Sequence, residues 1–436
     1  MSCIKELKKH LRGLGRCAFP VCVFLFLLTM GVCCYCFREI RKIEFENRMS
    51  HFFPKWSNAL WMDREWQRKF NEASADQLPF ALDAKKKFFW LRNGVLYEAQ
   101  KRMYNFTDYY VHFRNEIYLY GDKDKPYLLY RSKTFDKEAQ EHMQAMAKQI
   151  NNAALRHADK DFYVYYIERD WDLRYDTKWH AGNYEFVRKN LTIPNDHIAC
   201  FRLKDFNDHK RYFQLTDHHW QYLGSYKGYK DVFHLLELDK EGETLNTPIE
   251  PNPAYGVPDD CKPELVDGYR PVLISRVYHE SRCRAAGTLD KFQNKFYAYV
   301  FNYTPMRITI NGEDKRKDGS NMDYGRAEEF LENKDVAIEW NMQYAMFYGD
   351  DEGEIIFNTE RKDRPNILIF GDSFDNAILK LLAGHFNKTY SIDLRHYKDC
   401  LGKPFSIDEY MKMHKIDKVL FIGNYGLFSQ EPFQQF

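Results

Sequence analysis

The stretch from Cys17 to Phe37, CAFPVCVFLFLLTMGVCCYCF, contains no charged side chain. At about 1.5 Å of rise per residue, a helix of that length spans roughly the 30 Å hydrocarbon core of a bilayer. The run therefore predicts one transmembrane helix. Lys5, Lys8, Lys9, Arg12 and Arg16 precede it, with Glu6 the only acid among them, so the positive-inside rule puts residues 1–16 in the cytoplasm and everything after Phe37 outside. No small-x-small cleavage site follows, which favours an uncleaved anchor over a removed signal peptide. Val32 ahead of Cys33 does not suit a lipid-attachment signal. The expected location is the cell membrane, single-pass, with the N-terminus inside and the bulk of the chain extracytoplasmic.

That topology governs how the cysteines are read. Six of the ten lie in or before the apolar run, where they serve as small apolar residues or acylation sites. Cys200, Cys261, Cys283 and Cys400 remain, and an oxidising exterior leaves two readings open: up to two disulfides, or four reduced buried thiols. Beyond the apolar run no CxxC pair or His/Cys cluster has zinc-site spacing, so no metal and no cofactor is expected. Lys plus Arg (64) nearly balances Asp plus Glu (63), so no global field draws the chain to nucleic acid. The high aromatic content, 31 Tyr and 34 Phe, suits either a heavy core or a sugar-stacking groove, and core packing is the simpler account.

After the anchor, residues 38–110 read as a stalk and lead-in. Arg38 to Glu46 alternates charge at helical spacing, and Trp56, Trp61 and Trp66 precede a turn at Pro79. Residues 111–436 read as the main domain. Glu116 to Tyr120 alternates as a strand before Gly121-Asp122, and Met143, Ala147, Ile150 and Ala154 recur at helical spacing from Asp136 to about His157. FYVYYI (162–167) then follows as a strand. Prolines 248, 251, 253 and 258 break regular structure in a segment, 228–322, read as an insertion with a hairpin at Asn311-Gly312.

The last seventy or so residues are the most regular. Asn366 to Phe370 is a short apolar strand, Gly371 to Phe374 a tight turn, and Ala377, Ile378, Leu381 and Leu382 one face of a helix ending near Gly384. Tyr390 to Leu394 reads as a strand. Ser406 and Glu409 have capping-box spacing for a helix reaching about His414, and KVLFI (418–422) has the unbroken apolarity of a parallel strand covered on both faces. Alternating strand and helix predict an α/β fold: a three-layer sandwich around a mostly parallel sheet.

A serine at the junction of a strand's C-terminal end and a helix N-terminus is exposed at the sheet's crevice and near backbone N–H groups that can hold an oxyanion. Ser373 occupies such a position. Gly-Asp-Ser taken alone also suits an ordinary helix cap, a role open to Asp375 and Asn376 as well. A nucleophilic serine needs an imidazole, and the imidazole needs a carboxylate to fix its tautomer. Asp217-His218-His219-Trp220 offers both: residues two apart project alike, so Asp217 can bond His219 while His218 faces away. The bland alternative is a pair of surface histidines beside a core tryptophan.

Taken together, Asp217-His218-His219-Trp220 with Gly224, and Gly371-Asp372-Ser373-Phe374 downstream, resemble the bacterial DHHW family and the related alginate O-acetylation proteins of the SGNH hydrolase superfamily. Glu46-Asn47-Arg48, Phe53-Pro54, Asp76-Gln77-Leu78-Pro79-Phe80 and Ile392-Asp393-Leu394-Arg395 match patterns of that family too, so the likeness spans nearly the whole region after the anchor. In such proteins Asp and His precede Ser, the order found in this chain. The resemblance implies an SGNH-like fold with Ser373 as nucleophile, His219 as general base and then acid, and Asp217 as orienting carboxylate. The oxyanion donors it implies are the Ser373 N–H and Asn424, although Gly423-Asn424 departs from the superfamily's Gly-x-Asn-Asp block, and a plain turn role for Asn424 stays open. Arg395 is either a ligand for a sugar hydroxyl or anionic group, or a member of a structural ion pair.

The implied activity is O-acyl transfer, most simply acetyl, to a surface or secreted polysaccharide. Acetyl-CoA is cytoplasmic, so a multispanning acyltransferase partner must hand the acyl group across the membrane. Two competing functions use the same chain: an esterase that removes acyl groups from glycans, and a non-catalytic glycan-binding or assembly protein that retains the fold.

Overall fold

The computed structural model describes residues 117–121, 126–130, 135–175, 179–249, 268–278, 294–314, 344–430 and 436, together with shorter stretches between 20 and 95. Two compact units emerge, one formed by Met1–Met103 with Arg284–Thr288, the other by Tyr104–Cys283 with Leu289–Phe436. Within the first, residues 20–26, 28–29 and 31–32 are helical and exposed. The rest of the expected anchor, the 1–16 tail, Trp56 and Trp61 lie outside the described residues. Among the described residues no helix is long and apolar enough to cross a membrane. The helical stalk is corrected: Lys42–Ile43 pairs antiparallel with Arg48–Met49. Helix α1 (Glu65–Gln77) follows, and the buried Asp76 in its last turn accepts from the His51 N–H and Nδ1 at 3.0 and 2.9 Å.

In the second unit the hairpin β1 (Ile117–Gly121) and β2 (Pro126–Tyr130) precedes α2 (Lys137–Arg156), whose N-cap Asp136 accepts from the Ala139 N–H. Then come β3 (Asp161–Ile167), α3 (Asn183–Asn190), β4 (Ile198–Phe201), α4 (Phe206–Tyr212) and α5 (Tyr222–Leu235). A separate ladder of β5 (Val272–Tyr278) and β6 (Asn294–Ala298) is followed by β7 (Arg307–Ile310) and β8 (Glu313–Asp314). The chain ends with α6 (Tyr344–Tyr348), β9 (Glu354–Asn358), β10 (Asn366–Phe370), α7 (Asn376–Ala383), β11 (Lys388–Ile392), α8 (Tyr397–Leu401), α9 (Ile407–His414), β12 (Lys418–Gly423) and α10 (Tyr425–Ser429).

Among the described residues, eight strands form one sheet in the order β8-β7-β9-β11-β10-β12-β3-β4. The run from β11 to β4 is parallel, and β9, β7 and β8 extend it antiparallel at one edge. Alternating side chains feed two cores. Tyr163, Tyr165, Ile167, Ile367, Ile369, Leu420 and Ile422 pack toward α5 and α7, while Phe162, Val164, Tyr166, Leu368, Phe370, Val419 and Phe421 pack toward α2, α9 and α10. Both faces are thereby covered, which is why the central strands carry no polar alternation.

The insertion at 228–322 needs two corrections. Helix α5 runs unbroken through Gly228, where a Cβ would meet the Trp220 ring at 2.6 Å, so the main core continues past that point. The Asn311-Gly312 hairpin has the expected two-residue turn with both φ angles positive, 48° and 81°, but its strand β7 pairs with β9 and belongs to the central sheet. The capping box at Ser406 is corrected as well: Ser406 is the N-cap of α9, but its side chain makes no cap hydrogen bond. Cys200 and Cys400 carry free thiols, and Cys261 and Cys283 lie outside the described residues.

Candidate active site

Four turns leave the C-terminal ends of adjacent parallel strands: Glu168 to Asp172 after β3, Gly371 to Asp375 after β10, Asp393 to Arg395 after β11 and Asn424 after β12. In an open parallel sheet this edge is where ligands bind. At Gly371 a Cβ would fall 2.0 Å from Asp375 Oδ2, so glycine leaves room for the buried Asp375 carboxylate. Asp372 Oδ1 then accepts from the Phe374 N–H at 3.0 Å and Oδ2 from Asn424 Nδ2 at 3.1 Å. The turn lifts Ser373 to a half-buried position while its neighbours Asp372 and Phe374 are buried.

The histidine segment reaches the same place from α4. A bridge between Phe213 and Trp220 closes a short loop, reinforced by Gln214 N–H to His219 O at 3.0 Å and Gln221 N–H to Tyr212 O at 2.8 Å. Trp220 is buried against Phe201 and Phe374, which fixes the loop from below. His219 Nδ1 lies 2.8 Å from Asp217 Oδ2, and its Nε2 lies 2.8 Å from Ser373 Oγ. With a fully buried carboxylate accepting from Nδ1–H, the Nε2 lone pair is left for the serine hydroxyl. Asp217, His219 and Ser373 thus form one continuous hydrogen-bonded chain.

The expectation that His218 faces away is corrected. Its Nδ1 lies 3.1 Å from the other Asp217 oxygen, and its ring centroid lies 4.0 Å from that of His219. Two imidazoles thus share one carboxylate. Burial opposes the charge on Asp217, but His219 and His218 outweigh it and hold the carboxyl well below the usual carboxylate range. Burial, with His219 and Arg169 adding repulsion, lowers His218 to about 3, so His218 is neutral at physiological pH.

Asn424 and Arg395 each have protein partners. The Asn424 side chain caps α10, accepting from the Gly426 N–H at 2.8 Å, while its amide donates to Asp372; it acts on the nucleophile turn through Asp372. Arg395 bonds both Asp393 oxygens and reaches Asp351 at 2.9 Å, which is the ion-pair reading. Asp375 sits at the N-cap of α7 without making a side-chain cap bond, and Asn376 instead donates to Gly349 O and Asp351 at 3.2 Å. Burial first, then Asp372, Asp393 and Asp351, push the Asp375 carboxyl well above its ordinary value.

Among the described residues, two groups of side chains bring possible metal-ligand atoms within 4.8 Å of one another: Asp217 with His218 and His219, and Asp351 with Asp393 and His396. In the first, the Nδ1 atoms are already bonded to the carboxylate, and in the second the Arg395 guanidinium supplies the positive charge.

Several neighbours carry no motif. Tyr344 of α6 stacks on His219 with ring centroids 4.0 Å apart and planes within 8°. Trp171, Tyr130 and Tyr425 form a half-buried cluster that reaches His218: Trp171 lies 5.9 Å from each of the other two rings, and Tyr130 lies 6.4 Å from His218. Beneath them the buried Arg169 guanidinium sits 4.0 Å over the Trp171 ring. A charged run, Glu168 to Asp172, directly after the buried strand 162–167 was the available signal for this wall. Tyr344 gave none.

Fold and site together define an α/β protein with a serine, a histidine and an aspartate hydrogen-bonded in series at the C-terminal edge of a parallel sheet. No family model matches the chain, and no curated protein matches its sequence. Among solved structures, a DHHW family protein from Eubacterium siraeum has the same fold, with a TM-score of 0.51 and 13% identity over 73% of this chain and 93% of that one. Bacillus cereus PatB1 is similar at a TM-score of 0.48 and 19% identity, covering 73% of this chain and 99% of its own; its form with a sulfonyl adduct gives 0.48 and 20%. At these identities the likeness concerns the fold.

Proposed function

We propose that the protein is an extracytoplasmic, membrane-anchored O-acyltransferase, with acetyl the simplest acyl group, that modifies a cell-surface or secreted polysaccharide through an acyl-serine. The observation that carries this reading is the unbroken chain from Asp217 through His219 to Ser373, at 2.8 Å per step. His219 Nε2 takes the Ser373 hydroxyl proton as Oγ bonds the acyl carbon, and the resulting imidazolium is stabilised by ionised Asp217. The tetrahedral oxyanion collapses, the donor oxygen leaves with the proton from Nε2, and the acyl group stays on Ser373. A sugar hydroxyl then gives its proton to Nε2 and attacks the acyl-serine, forming the sugar ester and restoring Ser373 with the same proton. Nearby backbone N–H groups at the start of α7, the Ser373 N–H first, are the proposed oxyanion donors.

The half-buried rings of Tyr130, Trp171 and Tyr425 support a glycan acceptor, since apolar sugar faces stack on flat aromatic surfaces. Motif likeness to the alginate O-acetylation proteins supports the same class. The uncharged run 17–37 supports the anchor and, with it, a multispanning partner that supplies the acyl group from the cytoplasm. Water reaching the acyl-serine in place of a sugar would make the same residues an esterase. Solubilised full-length protein given p-nitrophenyl acetate and a panel of oligosaccharides separates the two. Acetylated sugar in the mass spectrum, absent with Ser373→Ala, is expected; free acetate alone across the panel would overturn transfer.

A further inference from the structure

Residue 218 bonds the Asp217 carboxylate twice. Its backbone N–H donates to Oδ1 at 2.6 Å and its ring Nδ1 lies 3.1 Å from the same oxygen, while Oδ2 lies 2.8 Å from His219 Nδ1. An ionised carboxylate has no proton to give, so His218 Nδ1 carries the hydrogen and donates it. Asp217 is fully buried, where little water weakens its attraction for a neighbouring cation. An Asp217 charge concentrated on Oδ2 would grip the His219 imidazolium, and a base that does not release its proton cannot serve as base and acid in turn. Each donor on Oδ1 stabilises the carboxylate and draws charge away from Oδ2.

We propose that His218 is a positioning residue of the relay, whose neutral Nδ1–H occupies the Asp217 oxygen turned away from His219 and so limits how strongly the carboxylate holds protonated His219. The proposal rests on the serine relay read from Asp217, His219 and Ser373, and adds a fourth member to it. His218 does not replace His219 as the base, because Ser373 Oγ bonds His219 Nε2 and burial, with His219 and Arg169 adding repulsion, keeps His218 uncharged. The lack of charge matters: a cation at 218 would offset the Asp217 charge that stabilises the imidazolium. The His218 ring is packed against those of His219 and Phe374, with centroids 4.0 and 5.6 Å away, which keeps its donor on Oδ1. Among the described residues, the other charged and titratable groups bearing on the two imidazoles are Tyr344 of α6, stacked on His219, Asp375, which acts on Tyr344, and Arg169, which acts on His218 and bonds Asp170. All of them stay in place in variants at 218.

The test follows kcat/KM of the solubilised full-length protein for p-nitrophenyl acetate between about pH 5 and pH 8.5. His218→Phe keeps a ring and removes the donor, whereas His218→Asn removes the ring and keeps an N–H near the place of Nδ1–H. In His218→Phe the acid limb should move up by about one pH unit, the scale of one lost hydrogen bond to a charged group, with the rate about fivefold lower at pH 6.5 and the deficit narrowing above pH 8. His218→Asn should bring the limb back to within about a third of a unit of the wild type. A limb that stays put or moves down in His218→Phe, or is displaced as far in His218→Asn, overturns the proposal. Should His218→Phe fail to fold, His218→Leu carries the same expectation. Ser373→Ala, assayed alongside, separates the two readings: full turnover in it removes the serine relay itself, while lost turnover in it with an unmoved limb in His218→Phe removes only the role of His218.

Discussion

His219 and Tyr344 lie face to face, ring centroids 4.0 Å apart and planes within 8°, and the tyrosine hydroxyl donates to Phe374 O at 3.4 Å. The imidazole is thus held in plane by a ring from α6 while its two nitrogens engage Asp217 and Ser373. Tyr344→Phe keeps the ring and should leave turnover within about threefold, whereas Tyr344→Leu removes the flat surface and should lower kcat by about tenfold or more, a cost in orientation. Steady-state assays beside thermal melts distinguish this from simple destabilisation, since the leucine variant should lose more kcat than its folded fraction explains.

Ser373→Ala should abolish labelling by a sulfonyl fluoride and lower ester turnover to the small residual rate that binding and oxyanion contacts alone provide. His219→Ala and Asp217→Asn should each lower kcat by about a thousandfold or more, and Ser373→Ala/His219→Ala should be little worse than Ser373→Ala, because members of one hydrogen-bonded chain are not additive. A double variant far slower than either single would argue against a shared mechanism.

Trp171→Ala should raise KM for an oligosaccharide acceptor by about tenfold, the scale of one lost stacking contact. Hydrolysis of p-nitrophenyl acetate, which has no sugar ring to stack on Trp171, should change little. Equal loss on both substrates would place Trp171 in the general support of the fold.

The carboxyls around Ser373 respond oppositely to pH. Asp217 is held low, so its contribution to stability is present above the ordinary carboxylate value and is lost as pH falls through the depressed one. Burial raises Asp372 from 3.8 to about 6 and holds Asp375 well above its ordinary value, so their protonated forms favour the fold at low pH and stability falls as pH rises out of the ordinary carboxylate range. Asp375→Asn, which removes a buried oxygen without a hydrogen-bond partner, should stabilise the protein more at pH 8 than at pH 5. Urea unfolding at the two pH values measures the difference, and an equal effect at both would contradict the raised Asp375.

Much of the fold could be read from local pattern. The strand at 366–370 stands where its apolar run put it, and α2 begins at the Asp136 cap and ends at His157 as its periodicity required. The Asn-Gly turn was recognisable because only certain residues tolerate two successive positive φ angles. The membership of that hairpin in the main sheet was not, because β7 pairs with β9 across a gap in sequence that no local propensity encodes. Nor does the Ser406 side chain bond at the start of α9, though its spacing fits a capping box.

By itself the sequence determined which residues of the site have the right chemistry: a serine after a buried strand and an aspartate two residues from a histidine, with a glycine where the turn must close. Those are local matters of side-chain type, backbone freedom and short spacing. Tertiary structure alone decided that His219 Nε2 meets Ser373 Oγ across 154 positions, that His218 turns to the same carboxylate, and that Asn424 and Arg395 are bonded to Asp372 and to the Asp351 and Asp393 pair. The physical reason is that those contacts depend on strand order and on which buried polar group lacks a partner, and both are settled only when distant segments pack into one core.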